Sequence, residues 1–270
     1  MFKPINIKEY FNSEIEKLKS FAQAHPFKLG IIDATAEDDI GNQIYIKKKV
    51  EDFRMVGWDA EIHKTNDVRE GIHEAIVAGA KGIIVQLPVR EGVEFNADMI
   101  PIDYDCDGLV AGSICDPATP RGIIDYLEDC GFEFEGKHAV VIGRSEIVGK
   151  PMAQMLLNKN CTVTVMHSKS DRVNMYNLMR GAELVICAVG KPHFLKRYMC
   201  PCAFVVDVGI NRGEDGKLCG DFKEDLDFYY GDLKMPSTPV PGGVGLLTRL
   251  ALLKNCKDLI EEYEICEAKF

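Results

Sequence analysis

Seven short apolar stretches, separated for the most part by segments of helical pattern, constrain this chain more than any other feature. They are Leu29 to Asp33, Asp59 to His63, Lys81 to Leu87, His138 to Gly143, Cys161 to His167, Glu183 to Val189 and Ala203 to Gly209. They are rich in β-branched residues and often apolar on both faces, as strands buried in a parallel sheet are. Helical segments of about 10–16 residues fall between most of them, a length and alternation that produce parallel sheets covered by helices. The expectation is an α/β fold.

A boundary is expected near Pro117 to Gly122, where PATPRG interrupts the pattern. Thr119 is expected to cap the next helix with Pro120 in its first position, and Gly131 to end it. A last, long helix is expected from Val244 to Ala268, packing back onto the first part of the chain. With 270 residues the chain can build two modest domains with buried cores.

Composition narrows the partners. The net charge of −10 argues against nucleic acid, whose phosphates need clustered Lys and Arg. No apolar run approaches the roughly 20 residues of a membrane span, and the charged start MFKPINIKEYFNSEIEK has no signal-peptide pattern. A cytoplasmic protein is expected. The ten cysteines are scattered without metal-type pairing, which suits reduced, buried thiols.

Two regions carry chemistry. The first begins where the stretch His138 to Gly143 runs into GRSEIVGKP and then a helix. Strand, glycine turn and helix form the setting of a phosphate-binding loop: glycine admits the pyrophosphate and the helix start offers free N–H groups. The spacing Gly143 to Gly149 is not the standard dinucleotide fingerprint, and a structural turn explains it equally well. The following strand ends in His167, Ser168 and Lys169, with no acid to hold a ribose hydroxyl. Ser168 and Arg144 are suited to a phosphate instead, favouring NADP over NAD. AVGKP (Ala188 to Pro192) and DVGIN (Asp207 to Asn211) follow later strands and belong to the same region.

The second region is less regular. Tyr45 and Lys49 are four residues apart and share a face if NQIYIKKKVEDF is helical. A lysine beside an aromatic ring in a cleft is suited to proton transfer. Lys47 and Lys48 adjoin it, so a solvated charge run is the plain reading of spacing alone. VQLP places Gln86 at a strand tip, and DCDG sets Asp105 and Asp107 around a turn. No third ligand pairs with these aspartates to suggest a metal, and a turn role explains at least one of them. PSTPVPGGVG (Pro236 to Gly245) is a rigid, glycine-rich segment of the kind that often carries function.

Together QIYIKKK, IIVQLP, DCDG, TPRG, AVVIGRSEIVGKP, HSK, AVGKP, VVDVGIN, Gly220–Asp221 and TPVPGGVG, in this order, resemble the methylenetetrahydrofolate dehydrogenase/methenyltetrahydrofolate cyclohydrolase family. The resemblance runs from about Leu29 to the last helix. It implies an α/β folate domain (1–118 with 246–270), a Rossmann-type NADP domain (119–245), an active site in the cleft between them, a homodimer and no metal. It implies NADP-dependent oxidation of 5,10-methylene-tetrahydrofolate and hydrolysis of the methenyl product to 10-formyl-tetrahydrofolate. Lys49 is then the catalytic lysine, Gln86 its partner, Tyr45 the ring against the folate and Asp107 the carboxylate at the pterin edge. Leu87, Pro88, Pro241, Gly242 and Gly243 would border the substrate. Gly143, Arg144, Ser145, Val148, Gly149, His167, Ser168, Ala188, Gly190, Gly209, Ile210 and Asn211 would border NADP. The chain departs from the family pattern at Asn42, where serine is usual, and at Ala118, Leu246 and Leu247. A shikimate-type dehydrogenase is the nearest rival, and TPVPGGVG argues against it.

Overall fold

The computed structural model describes residues 2–224 and 236–267. The chain divides into two compact units: Phe11–Ala118 with Arg249–Phe270, and Met1–Tyr10 with Thr119–Thr248.

The first unit is built on a three-stranded parallel sheet. Its strands are β1 (Lys28–Asp33), β2 (Asp59–Lys64) and β3 (Gly82–Val85), in the order β2-β1-β3. Most of α1 (Ile7–Ala24) and of α7 (Val244–Glu267) belongs to this unit, with α2 (Ile40–Val56) and α3 (Val68–Val77) between the strands. Central β1 is buried beyond its first residue, whereas edge strand β2 buries only Ala60. β2 therefore departs from the two-faced apolar expectation, because an edge strand has a neighbour on one side only. Asp39 starts α2 by accepting from the Asn42 N–H, and Gly57, at φ 99°, ends it in the left-handed conformation glycine adopts without strain. Ile32, Val68, Ile72, Ile83, Val85 and Ile100 lie in this unit's core. Burying each such side chain contributes about 1.5–3 kcal/mol.

The second unit carries a four-stranded parallel sheet. After α4 (Ala118–Asp129) come β4 (His138–Ile142), α5 (Gly149–Asn158), β5 (Thr162–Met166), α6 (Arg172–Arg180), β6 (Leu184–Cys187), the short β7 (Leu195–Lys196) and β8 (Phe204–Asp207). The strand order is β5-β4-β6-β8. Two-residue strands β9 (Asn211–Arg212), β10 (Leu218–Cys219) and β11 (Phe222–Lys223) follow; β9 pairs with β10 and β11 with β7. All seven expected strands form, with ends shifted by one or two residues.

Three expectations are corrected. Helix α4 begins at Ala118, so Thr119 and Pro120 lie inside its first turn; the Thr119 hydroxyl meets that of Thr248 at 2.9 Å instead of capping. Residues 1–10 cluster with 119–248, not with 11–118. Phe2 packs edge-on against Phe132 and Phe204, and the Tyr126 hydroxyl donates to the Ile5 carbonyl at 2.6 Å. Residues 246–248 join the same unit: a Cβ on Gly122 would meet the Leu247 carbonyl oxygen at 2.3 Å, so this stretch of α7 lies directly on α4. Helix α7 otherwise runs as expected to Glu267; Ala268 lies outside the described residues.

Candidate active site

In the three-stranded unit the helical phase of α2 separates three consecutive lysines. Lys47 and Lys48 are exposed, while Lys49 is 4% exposed. Its Nζ donates to Gln86 Oε1 at 2.9 Å and lies 5.0 Å from the centre of the Tyr45 ring. Gln86 sits one residue past β3, where its backbone N–H still bonds the Ile32 carbonyl. Its Nε2 donates to Asn42 Oδ1 at 2.9 Å and to the Leu87 carbonyl at 3.0 Å. The Leu87–Pro88 bond that follows is cis.

The DCDG turn faces the same lysine. Gly108 is required there: at φ +68° its Cβ would fall 2.3 Å from backbone of Asp116. The two aspartates separate in role. Asp105 is buried and accepts from the Val110 N–H at 2.8 Å, holding the turn. Asp107 is half-buried and interacts electrostatically with Lys49. Burial lowers the proton affinity of Lys49, Asp107 opposes this and Arg249 adds to it. Burial raises that of Asp107, which Lys49 opposes and Asp105 reinforces. Both groups are pushed toward their neutral forms. Arg249 reaches Asp52 Oδ2 at 3.1 Å, a buried ion pair that the sequence reading missed.

The four-stranded unit places a glycine loop at the point where its strand order reverses. β4 lies between β5 and β6, so the loops after β4 and β6 diverge from neighbouring strand ends, the position at which open parallel sheets bind ligands. The loops approach closely: at φ +129°, a Cβ on Gly143 would lie 2.3 Å from the Ala188 oxygen. Gly149 begins α5 so close to the loop that its Cβ would meet the Arg144 nitrogen at 2.6 Å. Ser145 Oγ accepts from the Gly149 N–H, and Val148 occupies the N-cap position without a side-chain cap. Ile142 and Met166 are register partners, so exposed Arg144 and Ser168 each stand two residues beyond a paired position on adjacent strands. Half-buried His167 accepts from the Lys169 N–H through Nδ1.

Two aspartates, neither of them a site residue in the sequence reading, tie the remaining loops together. Buried Asp221 accepts from the N–H groups of Val189, Gly190 and Lys191 and from Asn211 Nδ2, at 2.7 to 2.9 Å. Asp207 accepts from the N–H groups of Gly209, Asp221 and Phe222. Burial still raises the Asp207 carboxyl to about 6. Each carboxylate occupies the space of a missing side chain: Cβ atoms on Gly209 and Gly220 would lie 2.1 and 1.7 Å from Asp221 and Asp207. Gly190 thus has its N–H taken, but a Cβ there would meet nothing within 4 Å, leaving open space against the turn. Ile210, after β8, is 60% exposed. Bare glycines at the switch point and open space beside Gly190 fit a dinucleotide.

Pro241, Gly242 and Gly243 belong to the four-stranded unit, apart in the chain's division from the Lys49 cluster. Gly243 leads into α7 and needs its lack of a side chain, since a Cβ would lie 2.1 Å from the Pro239 oxygen.

Residues 117–264 match the family model described as tetrahydrofolate dehydrogenase/cyclohydrolase, NAD(P)-binding domain. The bifunctional protein FolD of Malacoplasma penetrans is 37% identical over 277 residues, covering 95% of this chain and 94% of that protein. The chain belongs to the tetrahydrofolate dehydrogenase/cyclohydrolase family. Its fold agrees with two solved members, the bifunctional FolD enzyme of Campylobacter jejuni and the bifunctional 5,10-methylenetetrahydrofolate dehydrogenase/cyclohydrolase of Thermoplasma acidophilum. Each is 29% identical with a TM-score of 0.82, covering 97% of this chain and 99% of its own. No described helix is long and apolar enough to cross a membrane.

Proposed function

We propose that this protein oxidises 5,10-methylene-tetrahydrofolate with NADP and hydrolyses the 5,10-methenyl product to 10-formyl-tetrahydrofolate, acting as a cytoplasmic homodimer. Family membership supports the pair of reactions. The observation that carries the residue assignment is the buried Lys49 amine held by an amide oxygen, not a carboxylate.

NADP supplies the hydride acceptor. The substrate's nitrogen lone pair stabilises the cation formed as hydride leaves, so this step needs positioning and no general base. Tyr45 gives a flat face for the folate ring, Asp107 a hydrogen-bonding edge for the pterin, and Leu87 and Pro88 border it. Arg144 and Ser168 would hold the 2′-phosphate, and the loops containing Gly143, Gly190 and Gly209 the rest of the dinucleotide.

Hydrolysis needs a proton carrier. Water adds to the methenyl carbon and releases a proton; the ring then opens as a proton reaches the departing nitrogen. Lys49 serves both steps, taking the proton as a neutral amine and returning it as an ammonium. Its lowered proton affinity makes this exchange accessible.

A spectrophotometric assay with methylene-tetrahydrofolate, comparing NADP with NAD, tests the reaction. Lys49→Met should lower cyclohydrolase turnover by about 100-fold or more, in the range of general acid–base contributions. Lys49→Arg should fail as well, because arginine does not deprotonate. Cyclohydrolase activity near wild type in Lys49→Met would assign the proton transfers to another group.

A further inference from the structure

We infer that Asp39 and Asn42 are positioning residues that set which end of the Gln86 amide faces Lys49. The inference rests on Lys49 as the proton carrier proposed above. The two ends of a glutamine amide have nearly the same shape, so hydrogen bonding alone chooses between them. Here the choice is made two bonds away from the lysine.

The chain of constraints begins at the start of α2. Asp39 offers only acceptors. Its Oδ1 takes the Asn42 backbone N–H at 3.0 Å, and its Oδ2 takes the Asn42 side-chain Nδ2 at 2.8 Å. Asn42 must therefore turn its Nδ2 toward Asp39 and its Oδ1 away. That Oδ1 accepts from Gln86 Nε2 at 2.9 Å, while the Leu87 carbonyl takes the second Nε2 proton at 3.0 Å. Both amide protons are used, so Oε1 is the end left to face Lys49 Nζ. Reversing the amide would set Oε1 against two acceptor oxygens in a buried site.

The orientation decides what the amine can do. An acceptor oxygen takes one N–H of the neutral amine and leaves its lone pair open to a proton. A reversed amide would donate Nε2–H into that lone pair, blocking the base and disfavouring the ammonium. The charged groups around Lys49 remain the same in either case: Asp107, with Asp105 behind it, on the DCDG turn, and Arg249 on α7, paired with Asp52 of α2.

The test uses protein labelled with [ε-13C]lysine, with the Lys49 signal assigned by its loss in Lys49→Met. In Asn42→Ala only the Leu87 carbonyl still opposes reversal. Lys49 should then titrate at lower pH, and cyclohydrolase kcat should fall about tenfold, the effect of one hydrogen bond, with KM little changed. Asp39→Ser keeps the N-cap acceptor but loses the oxygen that orients Asn42, so it should move the titration the same way by less. Asn42→Asp keeps an acceptor for Gln86; facing the Asp39 oxygen 2.8 Å away it shares one proton with Asp39, because two carboxylates that close cannot both ionise, so Lys49 should titrate close to wild type. A folded Asn42→Ala variant whose Lys49 titrates as in wild type would overturn the inference, as would an equal fall in Asn42→Asp, which keeps the acceptor for Gln86. Cyclohydrolase retained in Lys49→Met would overturn the catalytic assignment instead, and the titrations would still decide the role of Asn42.

Discussion

Among Lys47, Lys48 and Lys49, identical side chains meet opposite environments because each helical step turns by about 100°. Only Lys49 points inward, and its burial is a stability cost. Its folded-state proton affinity lies below the unfolded value. The lysine's contribution to stability is therefore complete above the ordinary lysine range and is lost as pH falls through the folded value. Lys49→Met removes this penalty and leaves the Gln86 carbonyl without its donor, so the pH dependence is the clean readout. Measured by thermal unfolding, Lys49→Met should gain on wild type as pH is lowered from 10.5 toward 7. A stability difference independent of pH would mean that the amine is not titrating with folding. The residue pattern QIYIKKK made Tyr45 and Lys49 legible as a pair. Asn42 was visible only as a departure from a family pattern, because an amide's orientation depends on partners 44 residues away.

At the scale of strands and loops, register does what no single motif can. Arg144 and Ser168 each lie two residues beyond the paired Ile142 and Met166, in the loops that leave adjacent strand ends. Arg144→Ala should remove a charge-assisted contact and weaken NADP binding by about 1.5–3 kcal/mol while leaving NAD nearly unchanged. Isothermal titration with both cofactors checks this, and equal losses for the two would remove Arg144 from the phosphate site. Asp221 governs the loops beyond β6 and β8. Replacing it by Ala strands the N–H groups of Val189, Gly190 and Lys191. Val189 is half-buried while Gly190 and Lys191 are exposed, so water reaches part of what is lost, and Asp221→Ala should lower the free energy of unfolding in urea by about 1–3 kcal/mol. A loss below about 1 kcal/mol would show that water replaces the carboxylate. The sequence marked Gly220 and Asp221 as a motif but not as a site. Their function depends on the mutual fit of two glycines and two carboxylates, which sequence spacing does not display.

At the scale of the whole molecule, the chain divides at Ala118 and Thr248, with the first ten residues joined to the later unit. If the four-stranded unit holds the cofactor, NADP at 100 times its Kd should stabilise it by about 2.7 kcal/mol. Hydrogen exchange should slow first in β4, β6 and β8, and less in β1 to β3. Equal protection of both sheets, or protection confined to β1 to β3, would overturn that assignment of roles. The family resemblance supplied the candidates Tyr45, Lys49, Gln86 and Asp107; by itself, the sequence determined the alternation of strands and helices, the glycine loop after β4 and the break near Pro117. These are local properties: side-chain period, glycine placement and turn chemistry are written in neighbouring residues. Only the tertiary structure decided which lysine is buried, which end of Gln86 meets it, how Arg249 pairs with Asp52 and how Asp207 and Asp221 lock the loops. Those facts depend on solvent exclusion and on distances between groups far apart in the chain, and neither is specified by a residue's immediate neighbours.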